Sequence, residues 1–152
     1  MARKKPQRQR TQTYESYTFE VLEWEPTYSL SVNRDLRQDE VYSEYAELHI
    51  QTVCAEPEPF KGRATNMILS SRRNFHKIDR TLREPDWRPN CIGLLSLRAD
   101  RGSFYAGVPQ ETINFLAGGL AHGKFRYVML SGPSLYRRES MINSIHLMRT
   151  LE

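Results

Sequence analysis

Alternation of apolar and polar residues is the feature that most constrains the fold of this chain. The clearest example is YAELHIQTVC, residues 45–54, in which every second side chain from Ala46 to Cys54 is apolar or small and the residues between them are mostly polar. A period of two places alternate side chains on opposite faces of an extended strand. This segment therefore predicts a strand with one buried face.

The same period recurs in short segments along most of the chain. A turn at Glu25-Pro26 is expected to separate the first two of them, and ADRG at 99–102 predicts a hairpin turn. Residues 140–151 fit either a helix or a strand, and the strand is preferred because short, turn-bounded strands precede them. The remaining predicted strands occupy residues 14–25, 27–33, 64–71, 91–98, 103–108 and 124–130.

One segment shows the spacing of a helix. Pro109 suits the first turn of a helix, and apolar residues then recur three and four positions apart. These residues are Ile113, Leu116, Ala117 and Leu120. A short amphipathic helix is therefore expected near residues 109–121, with Gly123 just beyond its carboxyl end.

These elements together predict a mainly β domain over residues 14–152. We expect an antiparallel β-sandwich or a partly closed barrel of about seven or eight strands with the one short helix, and the sandwich is slightly preferred. Residues 1–13 are expected to form a disordered basic arm, because they contain no apolar residue after Ala2. Residues 71–90 are expected to form a long surface loop.

Charge is distributed unevenly along the sequence. The chain carries a formal net charge of +4, and Arg3, Lys4, Lys5, Arg8 and Arg10 supply five of its positive charges. Residues 11–60 contain 2 basic and 11 acidic side chains, whereas residues 61–152 contain 15 basic and 7 acidic ones. The acidic and basic halves either form opposite faces of the molecule or neutralise each other across paired strands.

The cysteines and the hydropathy pattern predict a cytoplasmic protein without a membrane segment. Cys54 and Cys91 lie far apart and have neither a C-x-x-C partner nor metal-like spacing with a histidine. Buried, reduced thiols are therefore expected. No apolar stretch is long enough to cross a bilayer.

Residues 118–125, GGLAHGKF, match most of the phosphate-binding pattern G-x-x-x-x-G-K-[ST]. In that pattern a strand precedes the glycines and a helix follows the lysine, so that backbone N–H groups surround the phosphates. Here the order is reversed, and Phe125 replaces the hydroxyl residue that holds magnesium. The glycines are therefore interpreted as the end of the helix rather than as a nucleotide site.

No catalytic, metal or cofactor site is predicted. The four histidines are dispersed, without the H-E-x-x-H spacing that brings two ring nitrogens to one metal ion. There is no G-x-S-x-G nucleophile motif, and the clustered glutamates are typical of solvated strand faces. The chain is accordingly expected not to be an enzyme.

Aromatic and cationic residues are interleaved in several stretches, which is the mixture that single-stranded nucleic acid requires for stacking and for phosphate contacts. An alternating strand with aromatic residues inward and arginines outward produces the same letters, so loop residues are the better candidates. The predicted contact residues for an anionic partner are Arg72, Arg73, Phe75, Lys77, Arg80, Trp87, Arg137 and Arg138. The basic arm is expected to add sequence-independent affinity.

Two functions are consistent with these features, and a third, a small-ligand or catalytic β domain, would need a pocket that gathers His49, Cys54 or His146 with acidic residues. The first is a non-enzymatic binding or adaptor module that contacts nucleic acid or an acidic protein surface through the arm and the basic loops. The alternative is a protein–protein scaffold or self-assembling subunit that uses sheet edges and complementary charge halves.

Overall fold

The computed structural model describes most of the chain as strands with one α-helix. The described residues are 13–35, 37, 40–73, 75–76, 86, 88–98 and 100–151. In chain order the elements are β1 (Tyr14–Val32), β2 (Tyr42–Glu56), a short 3-10 helix (Glu58–Phe60), β3 (Ala64–Arg72), β4 (Gly93–Ser96), β5 (Gly102–Pro109), α1 (Thr112–Ala121), β6 (Tyr127–Pro133), β7 (Glu139–Ile142) and β8 (Ser144–Met148). The predicted mainly β fold with a short helix is confirmed.

All eight strands belong to one sheet, in the order β7-β4-β5-β3-β2-β1-β6-β8. The neighbours are antiparallel except β3 and β5, which run parallel from Thr65 opposite Gly102 to Arg72 opposite Pro109. A strand that returns in the same direction needs a crossover connection. Here the crossover consists of the segment after β3 together with β4, which forms the predicted hairpin with β5.

The last strand run closes the sheet. β7 pairs with β4 and β8 pairs with β6, although only Asn143 separates β7 from β8. The Asn143 N–H donates to the carbonyl oxygen of Ser131, 3.0 Å away, and this bond joins the run to β6. The continuous segment of β7 and β8 therefore connects the two edges of the sheet, and the sheet is nearly closed into a barrel. The slightly preferred sandwich is not formed. A sandwich consists of two separate sheets, whereas here β7 and β8 join the two edges of a single sheet.

The core fills the inside of this barrel. The period-two segments place alternate residues inward, and α1 adds its apolar stripe of Ile113, Leu116 and Leu120. The helix begins at Thr112 rather than at residue 109, because Pro109 still pairs with Arg72 in the sheet. The fully or nearly fully buried residues of the sheet and its turns include Tyr17, Phe19, Leu48, Ile50, Cys54, Met67, Leu69, Leu95, Leu97, Phe104, Ala106, Val108, Val128, Leu130 and Ile142.

β1 is one long strand, and the predicted turn at Glu25-Pro26 is wrong. β1 pairs with β2 almost throughout, but its pairing with β6 covers only Tyr14 to Glu20. From residue 22 onward its second side faces no other strand of the described residues. Because proline lacks an N–H, it is tolerated at such an edge, which explains why Pro26 does not end the strand.

The far end of β1 and β2 extends beyond the rest of the sheet. β2 pairs with β3 only from Glu47 to Val53, so residues 28–32 and 42–46 form a two-stranded ribbon. We call these two segments the ribbon, and we call residues 22–32 of β1 the free edge. Glu44 anchors the ribbon, since it accepts hydrogen bonds from Tyr28 and Gln110.

No helix in the described part of the chain is long and apolar enough to span a membrane. The final segment, in which a helix and a strand both fit the sequence, forms the strands β7 and β8. The predicted arm lies outside the described residues apart from Thr13, and much of the predicted 71–90 loop lies outside them as well.

Candidate anion-binding interface

Arg137 and Arg138 form the two central residues of a tight turn between β6 and β7. The N–H and carbonyl groups of Tyr136 and Glu139 are hydrogen-bonded to each other in both directions, at 2.9 and 3.0 Å. The backbone φ angles are 51° at Arg137 and 63° at Arg138. This is the left-handed geometry of a type I′ hairpin turn, which usually contains asparagine and glycine.

Arginine is an unfavourable residue at these positions. A side chain other than glycine in the left-handed region costs about 1 kcal/mol or more, because its Cβ approaches the carbonyl oxygen. Neighbouring groups hold the turn in place: the Leu97 N–H donates to the Arg138 carbonyl oxygen at 2.8 Å. Arg98 Nε donates to the Arg137 carbonyl oxygen at 3.0 Å. Strained residues of this kind are concentrated at functional sites.

Both guanidinium groups of the turn are available to a ligand. Arg137 and Arg138 are exposed, and neither forms an ion pair with any residue that the structure describes. The Arg137 guanidinium lies 5.3 Å from the centre of the Tyr136 ring, in a cation–π contact. Tyr136 is itself 64% exposed, so a flat ring and two cations face solvent at the same turn.

The amino-terminal end of the barrel joins this turn. The Ser134 N–H donates to the Thr13 carbonyl oxygen at 2.8 Å, and the hydroxyl groups of Thr13 and Ser134 lie 2.5 Å apart. The next residue, Tyr14, pairs with Pro133 and is 62% exposed. Thr13, the last residue of the predicted arm, therefore lies beside Ser134, two residues before Tyr136, while the rest of the arm lies outside the described residues.

The β4–β5 turn contributes further charges to the same end of the barrel. Arg98 lies 3.5 Å from Glu139, and this ion pair is exposed on both sides. Arg101 is exposed in the turn that follows Arg98, with Asp100 beside it. Because exposed ion pairs contribute little, the Arg98–Glu139 pair matters more for positioning than for stability. Arg98, Arg101 and Tyr14 are not among the predicted contact residues, since their position at this end of the barrel depends on strand register.

Arg72, Arg73 and Phe75 lie at the opposite end of the barrel. β3 separates them from Arg63, which donates to the Leu97 carbonyl oxygen, and its nine residues span roughly 25 Å. The three predicted residues border a shallow pocket with His76 and Glu40. The structure therefore brings Arg137 and Arg138 together but does not bring them to the Arg72 group. Lys77, Arg80 and Trp87 lie outside the described residues.

Arg73 is engaged by the acidic half of the sequence. Its guanidinium lies 3.2 Å from Glu40 and 4.0 Å from Glu44, and the latter also accepts the hydrogen bonds that anchor the ribbon. Arg72 lies over Gly107, whose missing side chain leaves room for it. The acidic and basic halves of the sequence thus neutralise each other at the Arg73 end of the barrel. At the other end, Arg137 and Arg138 form no ion pair with the described residues. The turn is therefore the better anion-binding candidate.

A second basic pair lies at the end of β6 and β8. Arg126 donates its backbone N–H to the Met148 carbonyl oxygen at 2.9 Å, and Tyr127 is opposite Met148 in the ladder. Arg126 and Arg149 are consequently neighbours across the two strands, and both are exposed. Arg149 is not among the predicted contact residues, because its position beside Arg126 depends on the register of the last strand. Both residues have ordinary backbone geometry, which makes them a useful comparison for the strained turn.

The other polar groups do not form a recognisable reaction centre. His49 lies on the outer face of β2, 2.6 Å from Glu47. Cys54 is in the core, where burial raises the pKa of its thiol, and it donates to the Glu56 carbonyl oxygen. Within the described residues, no group of three or more histidine, cysteine, aspartate or glutamate side chains is placed to hold a metal ion.

The glycine-rich stretch is the end of the helix, as predicted. Gly118 and Gly119 lie inside α1, and Gly123 follows it with a φ of 65°. The Gly123 N–H donates to the Leu120 carbonyl oxygen, an arrangement that closes a helix at its carboxyl end. Lys124 then leads into β6, so the phosphate-binding order of strand, glycines and helix is absent here.

Searches against protein families, curated protein sequences and solved structures found no significant match for this chain.

Proposed function

We propose that this protein is a non-enzymatic binding module that contacts single-stranded nucleic acid at the barrel end formed by Arg137, Arg138 and Tyr136. The observation that carries the proposal is the strained turn itself. Two arginines occupy both left-handed positions, are held there by Arg98 and Leu97, and form no ion pair with the described residues. A turn that served only to connect two strands would be more stable with asparagine and glycine.

The chemistry of this barrel end favours nucleic acid over an acidic protein surface. Guanidinium groups bind phosphate through paired hydrogen bonds, and exposed rings stack on unpaired bases. Tyr136 provides such a ring beside Arg137, and Tyr14, opposite Pro133, exposes a second ring at this end of β6. The basic arm, which is attached at Thr13, adds charge that needs no fixed conformation to follow a phosphate backbone.

The free thiols Cys54 and Cys91 support a reducing compartment such as the cytoplasm for this activity. They are not joined to each other, and Cys54 is buried in the barrel. Nucleic acid and cytosolic protein partners are both accessible there.

The experiment compares binding of a labelled single-stranded oligonucleotide to the wild-type chain and to the double variant Arg137→Asn, Arg138→Gly. The variant keeps the turn and removes both of its guanidinium groups, so its affinity is expected to fall at least about tenfold, as the loss of charge-assisted contacts implies. The control is Arg126→Gln with Arg149→Gln, which removes the same charge at another place on the barrel and should leave affinity nearly unchanged. Equal affinity of the turn variant and the wild type would contradict the proposal.

A parallel titration with polyglutamate separates the two partner classes. Weaker binding of polyglutamate than of the oligonucleotide at matched charge supports stacking on Tyr136 and Tyr14. Stronger binding of polyglutamate assigns the same surface to an acidic protein instead and overturns the nucleic-acid proposal.

The second candidate function is a self-assembling subunit. The free edge of β1 favours it, because an unpaired strand edge is a template for another strand. Assembly driven by the two charge halves has less support, since Arg73 already contacts Glu40 and Glu44 within one chain.

A further inference from the structure

We propose that two copies of this chain pair through their free edges, with β1 of each copy antiparallel to β1 of the other and Tyr28 at the two-fold axis. The proposal rests on the ribbon and the free edge alone. It is independent of anion binding by Arg137 and Arg138, which lie beyond the opposite end of β1.

Residues 27–32, the second part of the free edge, lack the features that normally protect an exposed strand, whereas Glu23, Glu25 and Pro26 lie in its first part. Edge strands are usually short, or contain charges and prolines that prevent pairing with another chain. Residues 27–32, TYSLSV, contain neither charge nor proline and consist largely of residues that favour strands. Within the described residues no strand or bridge pairs with this side of β1.

On one face of the ribbon the β1 side chains are apolar and continue the inner face of the barrel, and Glu44 of β2 lies on that face opposite Leu30. Tyr28, Leu30 and Val32 share a face with the buried Leu48 and Ile50, because cross-strand partners and alternate residues point the same way. In contrast to the buried pair, Tyr28, Leu30 and Val32 are 65%, 58% and 61% exposed. Large apolar side chains in one continuous exposed band mark an interaction surface.

The side-chain pattern of the edge is complementary to itself. With Tyr28 opposite its own copy, the apolar residues of one strand face apolar residues of the other: Leu30 faces Pro26, and Val32 faces Trp24. The two carboxylates of the edge are then kept apart. Glu25 faces Ser31 and Glu23 faces Asn33, so no like charges lie opposite each other.

A second copy is therefore a better occupant than an unrelated strand. A two-fold pair uses the same surface twice, which requires that the surface be self-complementary. The register centred on Tyr28 meets that requirement over residues 24–32, which belong to the regular part of the β1–β2 ladder beyond the irregularity between Val21 and Glu23.

The oligomeric state tests the pairing. Sedimentation of the full-length chain is expected to give twice the chain mass at both low and high salt, because the contact is apolar and made of backbone hydrogen bonds. Leu30→Lys is expected to shift the mass to that of the monomer, with a dissociation constant raised at least about tenfold, because it places a charge in the apolar contact. The matched control is Leu94→Lys on the outer face of β4, where Leu94 is 46% exposed in the single chain; this variant should remain a dimer.

A monomeric wild-type chain would overturn the proposal, and so would a dimer that Leu94→Lys dissociates and Leu30→Lys does not. The turn variant Arg137→Asn, Arg138→Gly should remain dimeric. Loss of oligonucleotide binding and loss of dimerisation are thus separate outcomes.

Disulfide cross-linking tests the register. In a Cys91→Ser background, Tyr28→Cys is expected to form a covalent dimer on oxidation, because directly opposite residues have α-carbons about 5 Å apart, within reach of a disulfide. Ser31→Cys is the control, since the two copies of residue 31 would be about 20 Å apart in this register. Cross-linking of Ser31→Cys that equals or exceeds that of Tyr28→Cys would overturn the register.

Discussion

Arg98 donates a hydrogen bond from Nε to the main-chain carbonyl oxygen of Arg137, 3.0 Å away. One cation thereby fixes the backbone of another without neutralising it. The Arg137 guanidinium remains over the Tyr136 ring and exposed. Hydrogen bonds from Leu97 and Arg98 thus add to those between Tyr136 and Glu139 in holding the conformation of the turn.

This relationship predicts opposite effects of one substitution on stability and on binding. Arg137→Asn with Arg138→Gly is expected to raise the free energy of unfolding by about 1 kcal/mol, because both residues suit a type I′ turn. The same variant is expected to lose affinity for nucleic acid. Urea unfolding measures the first effect. A variant that is less stable than the wild type would show that the two arginines stabilise the turn, which would remove the argument from strain.

Two adjacent glycines in α1 provide a test of the packing. A methyl group at Gly119 would overlap the ring of Phe125, whereas one at Gly118 meets no atom within 4 Å. Gly118→Ala is therefore expected to raise the free energy of unfolding by about 0.5–1 kcal/mol through helix propensity. Gly119→Ala is expected to lower it by about 1–3 kcal/mol through overpacking. The contact between α1 and the segment that leads into β6 would be wrong if the two variants had the same stability in urea.

Alkaline pH is expected to destabilise the fold through two buried groups. Burial raises the pKa of the Cys54 thiol, and burial together with the Glu15 carboxylate raises the pKa of the Tyr17 hydroxyl. In both cases the folded pKa exceeds the unfolded one, so the stability is unaffected below the unfolded pKa values and declines above them. Those values are about 8.5 for cysteine and about 10 for tyrosine.

The measurement is the urea midpoint between pH 7 and pH 10.5, with Cys54→Ala as the control. The midpoint of the wild type should fall above about pH 8.5, and the control should fall only at higher pH, where Tyr17 begins to matter. An unchanged or rising midpoint in the wild type over this range would mean that neither group is buried as described.

Much of the fold follows from local patterns in the sequence. The alternation around Leu48 and Ile50 predicts a strand that the structure buries on the expected face, and the stripe from Ile113 to Leu120 predicts the helix. The predicted turn at Pro26 is wrong because the effect of a proline depends on whether its strand has a second neighbour, which local sequence does not reveal. The barrel was not preferred over the sandwich because Asn143, where the last run changes partner, resembles any polar residue within a strand.

The candidate site was less predictable than the fold. Arg137 and Arg138 are predicted contact residues because they are expected to lie in a loop, but their strained backbone is unusual for arginine and no sequence rule predicts it. The contact of Arg73 with Glu40 and Glu44 joins residues far apart in the chain. The distribution of charge along the sequence therefore does not show whether the acidic and basic halves touch in the fold. The approach of Arg98 to Arg137 likewise depends on β4 lying beside β7.

The most direct test of the central claim is the salt dependence of oligonucleotide binding, measured for the wild type and for Arg137→Asn, Arg138→Gly. The logarithm of the association constant should fall linearly with the logarithm of the salt concentration, with a slope of about −0.7 for each phosphate contacted on a single strand. If both arginines bind phosphate, the slope of the variant should be shallower by about 1.4. Identical slopes for the two proteins would show that the turn does not contact the anionic backbone and would contradict the account.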